Sequence, residues 1–196
     1  MNSGNEYKAN MKQIISDEIN RIHTAIPGVI VSYNPSANRA QVQPSGKFKT
    51  QDGRSFAYPV INSVPVQFPV GMGGAAGVTF PLVPGDGGII LFAETQMEDF
   101  IDGGDSDDPR KFSLNDAMFI PGYYSGAAAA NVSNPKDVSL HYSGSIVTLG
   151  AGGFSGSCNG TTFSFSGGDL VVNGISLVHH THGGVEPGGG STGQPK

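Results

Sequence analysis

The sequence predicts an all-β protein in two parts, a small barrel and a thin strand-built shaft, preceded by one short helix. Three observations predict it. Apolar runs of strand length recur between clusters of Gly, Pro, Asn and Ser, with 30 glycines in 196 residues. Prolines fall inside several of those runs, which suits edge strands and bulges rather than helices. After Gly122 charge almost vanishes: from Ser125 onward only Lys136, Asp137, Asp169, Glu186 and Lys196 are charged. Charged residues make up 14% of the chain and the net charge is −5, too small an imbalance for a disordered polyelectrolyte.

In chain order, residues 1–26 read as a leader followed by a helix. Met11, Ile15, Ile19, Ile22 and Ile26 recur at helical spacing, predicting a helix from about Asn10 to Ala25 that Pro27-Gly28 stops. Isoleucines along one seam favour three-stranded association, and packing on the chain's own domain fits the same stripe.

Residues 27–124 read as a barrel. Val29–Tyr33, the turn Asn34-Pro-Ser-Ala-Asn38, Ala40–Gln43, Tyr58–Ile61, Val64–Val70, Gly77–Val83 and Gly88–Ala93 are short strands and turns at the spacing of an OB-fold. Gly71-Met-Gly-Gly-Ala-Ala76 matches a dinucleotide fingerprint in letters only. It leads into the proline-containing run Val78–Pro84 instead of opening a helix, and is read as a hairpin connection. The acidic stretch Glu98–Asp108 lacks the ligand spacing of a calcium loop and is read as solvated.

Residues 125–135 read as a linker and 136–196 as the shaft. Ser139–Tyr142, Ile146–Leu149, Thr161–Phe165 and Leu170–Leu177 alternate but are too poor in large apolar groups to form a two-layer core alone. Intertwining with identical copies would cover their edges, which makes a trimeric β-prism or β-helix the economical architecture. The last strand runs into His179-His-Thr-His182. In an extended chain His180 and His182 share a side and His179 faces away. Such a triplet is a solvated tail, a purification remnant, or one chain's share of a metal shell. On a three-fold axis, three chains would bring about six imidazole nitrogens to one ion.

Composition bears on function class. An acidic chain without a basic run lacks the footprint of a nucleic-acid binder, so Phe68, Phe80 and Phe92 are read as core rather than as base-stacking platforms. Cys158 is the single cysteine and cannot form an intrachain disulfide. No apolar run has the length of a spanning helix, about 18 residues, and the N-terminus has no signal-peptide core. Gly152-Gly-Phe-Ser-Gly156 has the wrong offsets for a nucleophile elbow, and the chain has no room for a lysozyme-sized insertion, so no enzyme is expected.

Several segments together resemble the central spike, or membrane-piercing, proteins of contractile phage tails (baseplate assembly protein V-like). They are Tyr58-Pro-Val60, Val64-Pro-Val-Gln-Phe-Pro69, Thr79-Phe-Pro-Leu-Val-Pro-Gly-Asp-Gly-Gly-Ile-Ile-Leu-Phe92 and Phe112-Ser-Leu-Asn-Asp-Ala-Met-Phe-Ile-Pro-Gly122, then His180-Thr-His182-Gly-Gly-Val-Glu-Pro-Gly188 and Thr192-Gly-Gln-Pro195. The resemblance implies a homotrimer with an OB-fold joined to the tail tube and baseplate hub. It implies a β-helix narrowing to a tip where His180 and His182 of each chain hold one structural iron ion per trimer. His179 precedes the motif, and Gln194 stands where a second proline is common. It also implies a place in the virion tail, contact with the host outer membrane, and neither nucleic acid nor small-molecule substrate as partner. The alternatives are the spike of a phage-derived bacteriocin or secretion machine, and an OB-fold nucleic-acid-binding module.

Overall fold

A computed structural model describes residues 3–19, 22–50, 52–105, 107–123, 136–184 and 188–189. The chain divides into two compact units, Met1–Ala130 and Asn131–Lys196. The linker expected over 125–135 lies outside the described residues.

The first unit opens with helix α1, Ser3–Ile19, and continues as a barrel. Its strands are β1 (Ala25–Asn34), β2 (Arg39–Pro44), β5 (Ile61–Pro65), β8 (Gly87–Phe92) and β9 (Ala117–Pro121). Antiparallel pairing gives the order β5-β2-β1-β8-β9. A parallel bridge between Val66 and Phe119, with the Gln67 N–H donating to the Phe119 carbonyl at 2.8 Å, joins the two ends. Five strands in this order, closed by a parallel contact, make an OB-type Greek-key barrel. The alternation within each strand supplies the core. Ile30, Val42, Val64, Ile90 and Phe119 point inward and are at most 2% exposed. The Asn34–Asn38 turn forms as expected: the Asn34 carboxamide oxygen accepts from the N–H groups of Ser36 and Ala37 at 3.1 and 3.3 Å.

Excursions from the barrel are short. The hairpin β3 (Lys47–Lys49) with β4 (Ser55–Ala57) lies between β2 and β5, and β6 (Val70–Gly71) with β7 (Ala76–Gly77) follows β5. The glycine-rich Gly71–Gly77 segment is therefore a hairpin. The acidic stretch, expected as loop, contains the single-turn helix α2, Glu98–Asp102, ended by Gly103 at φ 80°.

Several local expectations differ, among them the strands expected over Tyr58–Ile61 and Val64–Val70, where β5 takes Ile61–Pro65 and β6 only Val70. The helix expected over Asn10–Ala25 lies instead at Ser3–Ile19, and Ala25, Ile26, Pro27 and Gly28 begin β1. The helical stripe continues by coincidence into a strand, and Pro27 is tolerated there because it precedes the first β1–β2 pair, Gly28↔Pro44, where its missing N–H breaks no ladder bond. The run Val78–Val83 forms no strand, since Pro81 and Pro84 remove the N–H groups a ladder needs. Phe80, expected in the core, is instead 44% exposed and rests edge-on against the buried Phe68, ring centroids 5.0 Å apart.

The second unit is one antiparallel meander, each strand paired with the next: β10 (Val138–Tyr142), β11 (Ser145–Gly150), β12 (Gly153–Cys158), β13 (Thr161–Ser166), β14 (Asp169–Val172) and β15 (Ile175–Ser176). Asn159-Gly160, Gly167-Gly168 and Asn173-Gly174 have positive φ at both positions, the geometry that tight hairpins require. Directly paired residues lie on the same face, so the register sorts the side chains. One face carries Val138, Leu140, Tyr142, Val147, Leu149, Phe154, Phe163, Phe165, Leu170, Val172 and Ile175, with Ser145, Cys158 and Thr161 among them. The other carries Ser139, His141, Thr148, Ser155, Ser157, Thr162, Ser164, Ser166, Asp169 and Ser176, with Ile146 and Val171 among them. Phe154, Phe163 and Phe165 form a ring cluster at 5.6 to 6.4 Å on the apolar face. Among the described residues of this unit none is buried, and Val138, Leu140, Tyr142, Leu149 and Ile175 are each more than half exposed.

Candidate metal-binding tip

The tip is built where the meander ends. β14 and β15 are joined by the Asn173-Gly174 turn, and the Leu177 N–H extends the ladder by donating to the Leu170 carbonyl at 2.8 Å. The chain then turns through residues 177–179 instead of running on as the extended strand expected from sequence. Two polar-face side chains hold this turn. Asp169 Oδ1 accepts from the Val178 N–H at 3.2 Å, and Ser176 Oγ accepts from the His179 N–H at 2.7 Å. The Ser176 hydroxyl in turn donates to Asp169. That bond first, then the Val178 N–H and the charge of His179, hold the Asp169 carboxyl below the usual carboxylate range.

Beyond the turn, His180 and His182 face each other with ring centroids 5.0 Å apart and planes at 78°. His180 Nδ1 lies 2.8 Å from the Ser176 carbonyl oxygen and 3.1 Å from that of Leu177. A carbonyl can only accept, so Nδ1 carries the proton and the Nε2 lone pair of the neutral ring is left for a ligand. His179 is held through its backbone N–H by Ser176 Oγ, which sets it apart from the other two. The structure thus brings His180 and His182 together by a buttressed turn rather than by strand alternation. Among the described residues no group of three or more His, Cys, Asp or Glu side chains converges within one chain. Two imidazoles from one chain do not by themselves close a metal shell.

The barrel holds a polar cluster that sequence reasoning did not single out. Asp116 is 2% exposed, its Oδ1 accepting from Met97 N–H at 3.0 Å and from Arg110 Nη2 at 3.2 Å. Arg110 Nε lies 2.9 Å from Asp116 Oδ2 as an ion pair without hydrogen-bond alignment. The Asp116 carbonyl accepts from Ala93 N–H at 2.8 Å, so the cluster ties the ends of the excursion between β8 and β9 to the barrel. The only signal in the sequence is a carboxylate directly before an apolar strand, six residues after an arginine.

Residues 26–122 match the family described as the phage protein Gp138 N-terminal domain. Residues 174–196 match the GpV Apex motif, which contains His180 and His182. The first match covers the barrel from β1 to β9, and the second begins at the turn that leads into β15. No curated protein matches the chain.

Proposed function

Because this chain belongs to the phage central spike proteins, carrying a Gp138 N-terminal domain and a GpV Apex motif, we propose that it is the non-enzymatic spike of a contractile tail, a homotrimer driven through the host outer membrane on contraction. It is a virion tail component. The barrel anchors the spike to the tail tube and baseplate hub, and the meander forms the shaft.

The observation that carries the reading is the one-sided sheet. A single layer with an apolar face in water is unstable, and burying each Leu, Val or Phe on it gains about 1.5–3 kcal/mol. Three copies turned inward around an axis cover all three faces at once and leave the Ser- and Thr-rich faces to solvent. That axis also explains why each chain supplies only two histidines.

Three pairs of His180 and His182 give about six imidazole nitrogens, a shell with no position left for substrate. The residues fit a metal. Each His180 presents Nε2 because its Nδ1–H is taken by backbone carbonyls, and imidazole donors suit Fe(II), Ni(II) and Zn(II). The ion's contribution is a cross-link between three chain ends, so that the tip does not fray. Iron is the choice that the family resemblance favours.

Particles carrying His180→Ala/His182→Ala test the reading. We expect tails that assemble and contract normally but infect poorly and release less dye from outer-membrane vesicles. Infection at the wild-type level would remove the metal-clamped tip from the mechanism.

A further inference from the structure

We propose that Asp169 and Ser176 are positioning residues for the tip, fixing His180 in the tautomer and orientation that present Nε2 to the metal. The proposal rests on the metal-tip reading above and adds to it a second layer of side chains. Asp169 is the only charged side chain between Asp137 and Glu186. It sits on the polar face of the sheet, at the start of β14, and Ser176 ends β15 on the same face. A carboxylate in an otherwise neutral shaft has no strand-pairing task, yet this one is engaged by a hydroxyl and a backbone N–H.

The chain of contacts runs one way. Asp169 accepts from the Ser176 hydroxyl and from the Val178 N–H, which closes the turn. Ser176 Oγ accepts from the His179 N–H at 2.7 Å. That places the Ser176 carbonyl under His180, where it accepts the Nδ1 proton at 2.8 Å. Metal-bound histidines commonly have their second nitrogen engaged in this manner, which orients the ring and raises the basicity of the ligating nitrogen. Here the carbonyl belongs to the residue that Asp169 holds.

The test uses the full-length trimer with Ni2+ as probe, in wild type, Ser176→Ala, Ser176→Thr, Asp169→Asn and His180→Ala/His182→Ala. Chelator competition should show about 10- to 100-fold weaker Ni2+ binding in Ser176→Ala and Asp169→Asn, with recovery in Ser176→Thr, which keeps the hydroxyl. Proton–nitrogen correlation spectra of the metal-free protein, labelled at histidine, should show His180 protonated at Nδ1 in wild type. In Asp169→Asn and Ser176→Ala they should show a mixture of tautomers. A tautomer signature does not move for a residue that only stabilises the sheet. Wild-type Ni2+ affinity in both variants, or a wild-type His180 protonated at Nε2, overturns the proposal. Retention of Ni2+ by the double histidine variant overturns the metal-tip reading itself, so the two failures are distinguishable.

Discussion

At Gly88 and Gly156, among other glycines, a hydrogen is the only side chain that fits. A Cβ at Gly88 would collide with the Phe119 ring and the Ile120 carbonyl, and at Gly156 it would stand 2.6 Å from Phe163 Cζ and 2.7 Å from the Ile146 carbonyl. Gly88→Ala should lower barrel stability by about 1–3 kcal/mol, read as a shift of the denaturation midpoint, and an unchanged midpoint would contradict the packing described. His23 offers a pH test. Burial lowers its pKa, with its ring against Tyr58 at 5.6 Å and Phe92 at 5.7 Å. The unfolded chain therefore takes up the proton first, and stability is lost as pH falls below the ordinary histidine value of about 6.5. His23→Phe should flatten that part of the stability–pH curve relative to wild type. Identical slopes would assign the proton uptake to other groups. Single residues were the least legible scale in the sequence. His180 and His182 could be named from residue type and spacing, but the Asp169–Ser176 buttress depends on the β14–β15 register. Asp116 and Arg110 meet through a fold in the chain that no local pattern announces.

Elements were legible where one force dominated. The Asn-Gly and Gly-Gly turns of the meander announce themselves, because few other pairs accept positive φ at two consecutive positions. Prolines misled in one direction only. They marked irregular strands correctly in kind, but over Val78–Val83 no strand forms and the Val78 N–H alone extends the β6–β7 hairpin, donating to the Pro69 carbonyl at 3.1 Å. The helix boundary was misplaced because Ile22 and Ile26 happen to continue the spacing of Met11, Ile15 and Ile19, while strand pairing claims Ile26 opposite Ile90. The meander makes its own prediction. Phe163 lies in the ring cluster on the apolar face, so Phe163→Ser should cost the assembled shaft about 3 kcal/mol or more per chain and dissociate trimers at low concentration. Ser164→Ala, on the polar face of the same strand, should leave the assembly unchanged. Equal effects from the two substitutions would mean that the faces are not distinguished by burial.

The molecule as a whole reads as a barrel and a shaft that obey different rules. The barrel closes on itself and buries its own core within one chain. The shaft has a continuous apolar face and no buried described residue, which is the physical form of the sequence-based expectation that this segment cannot make a core alone. The loss of charge beyond Ser125 foreshadowed that division, whereas the one-sidedness of the sheet needed the strand register to be seen. The account stands or falls on how many chains share the apolar faces and the histidines. Native mass spectrometry of the untagged protein reads both quantities at once. The expected species is three 20.2 kDa chains carrying one metal ion, with the ion lost in His180→Ala/His182→Ala. A metal-free single chain as the dominant species at micromolar concentration would contradict it.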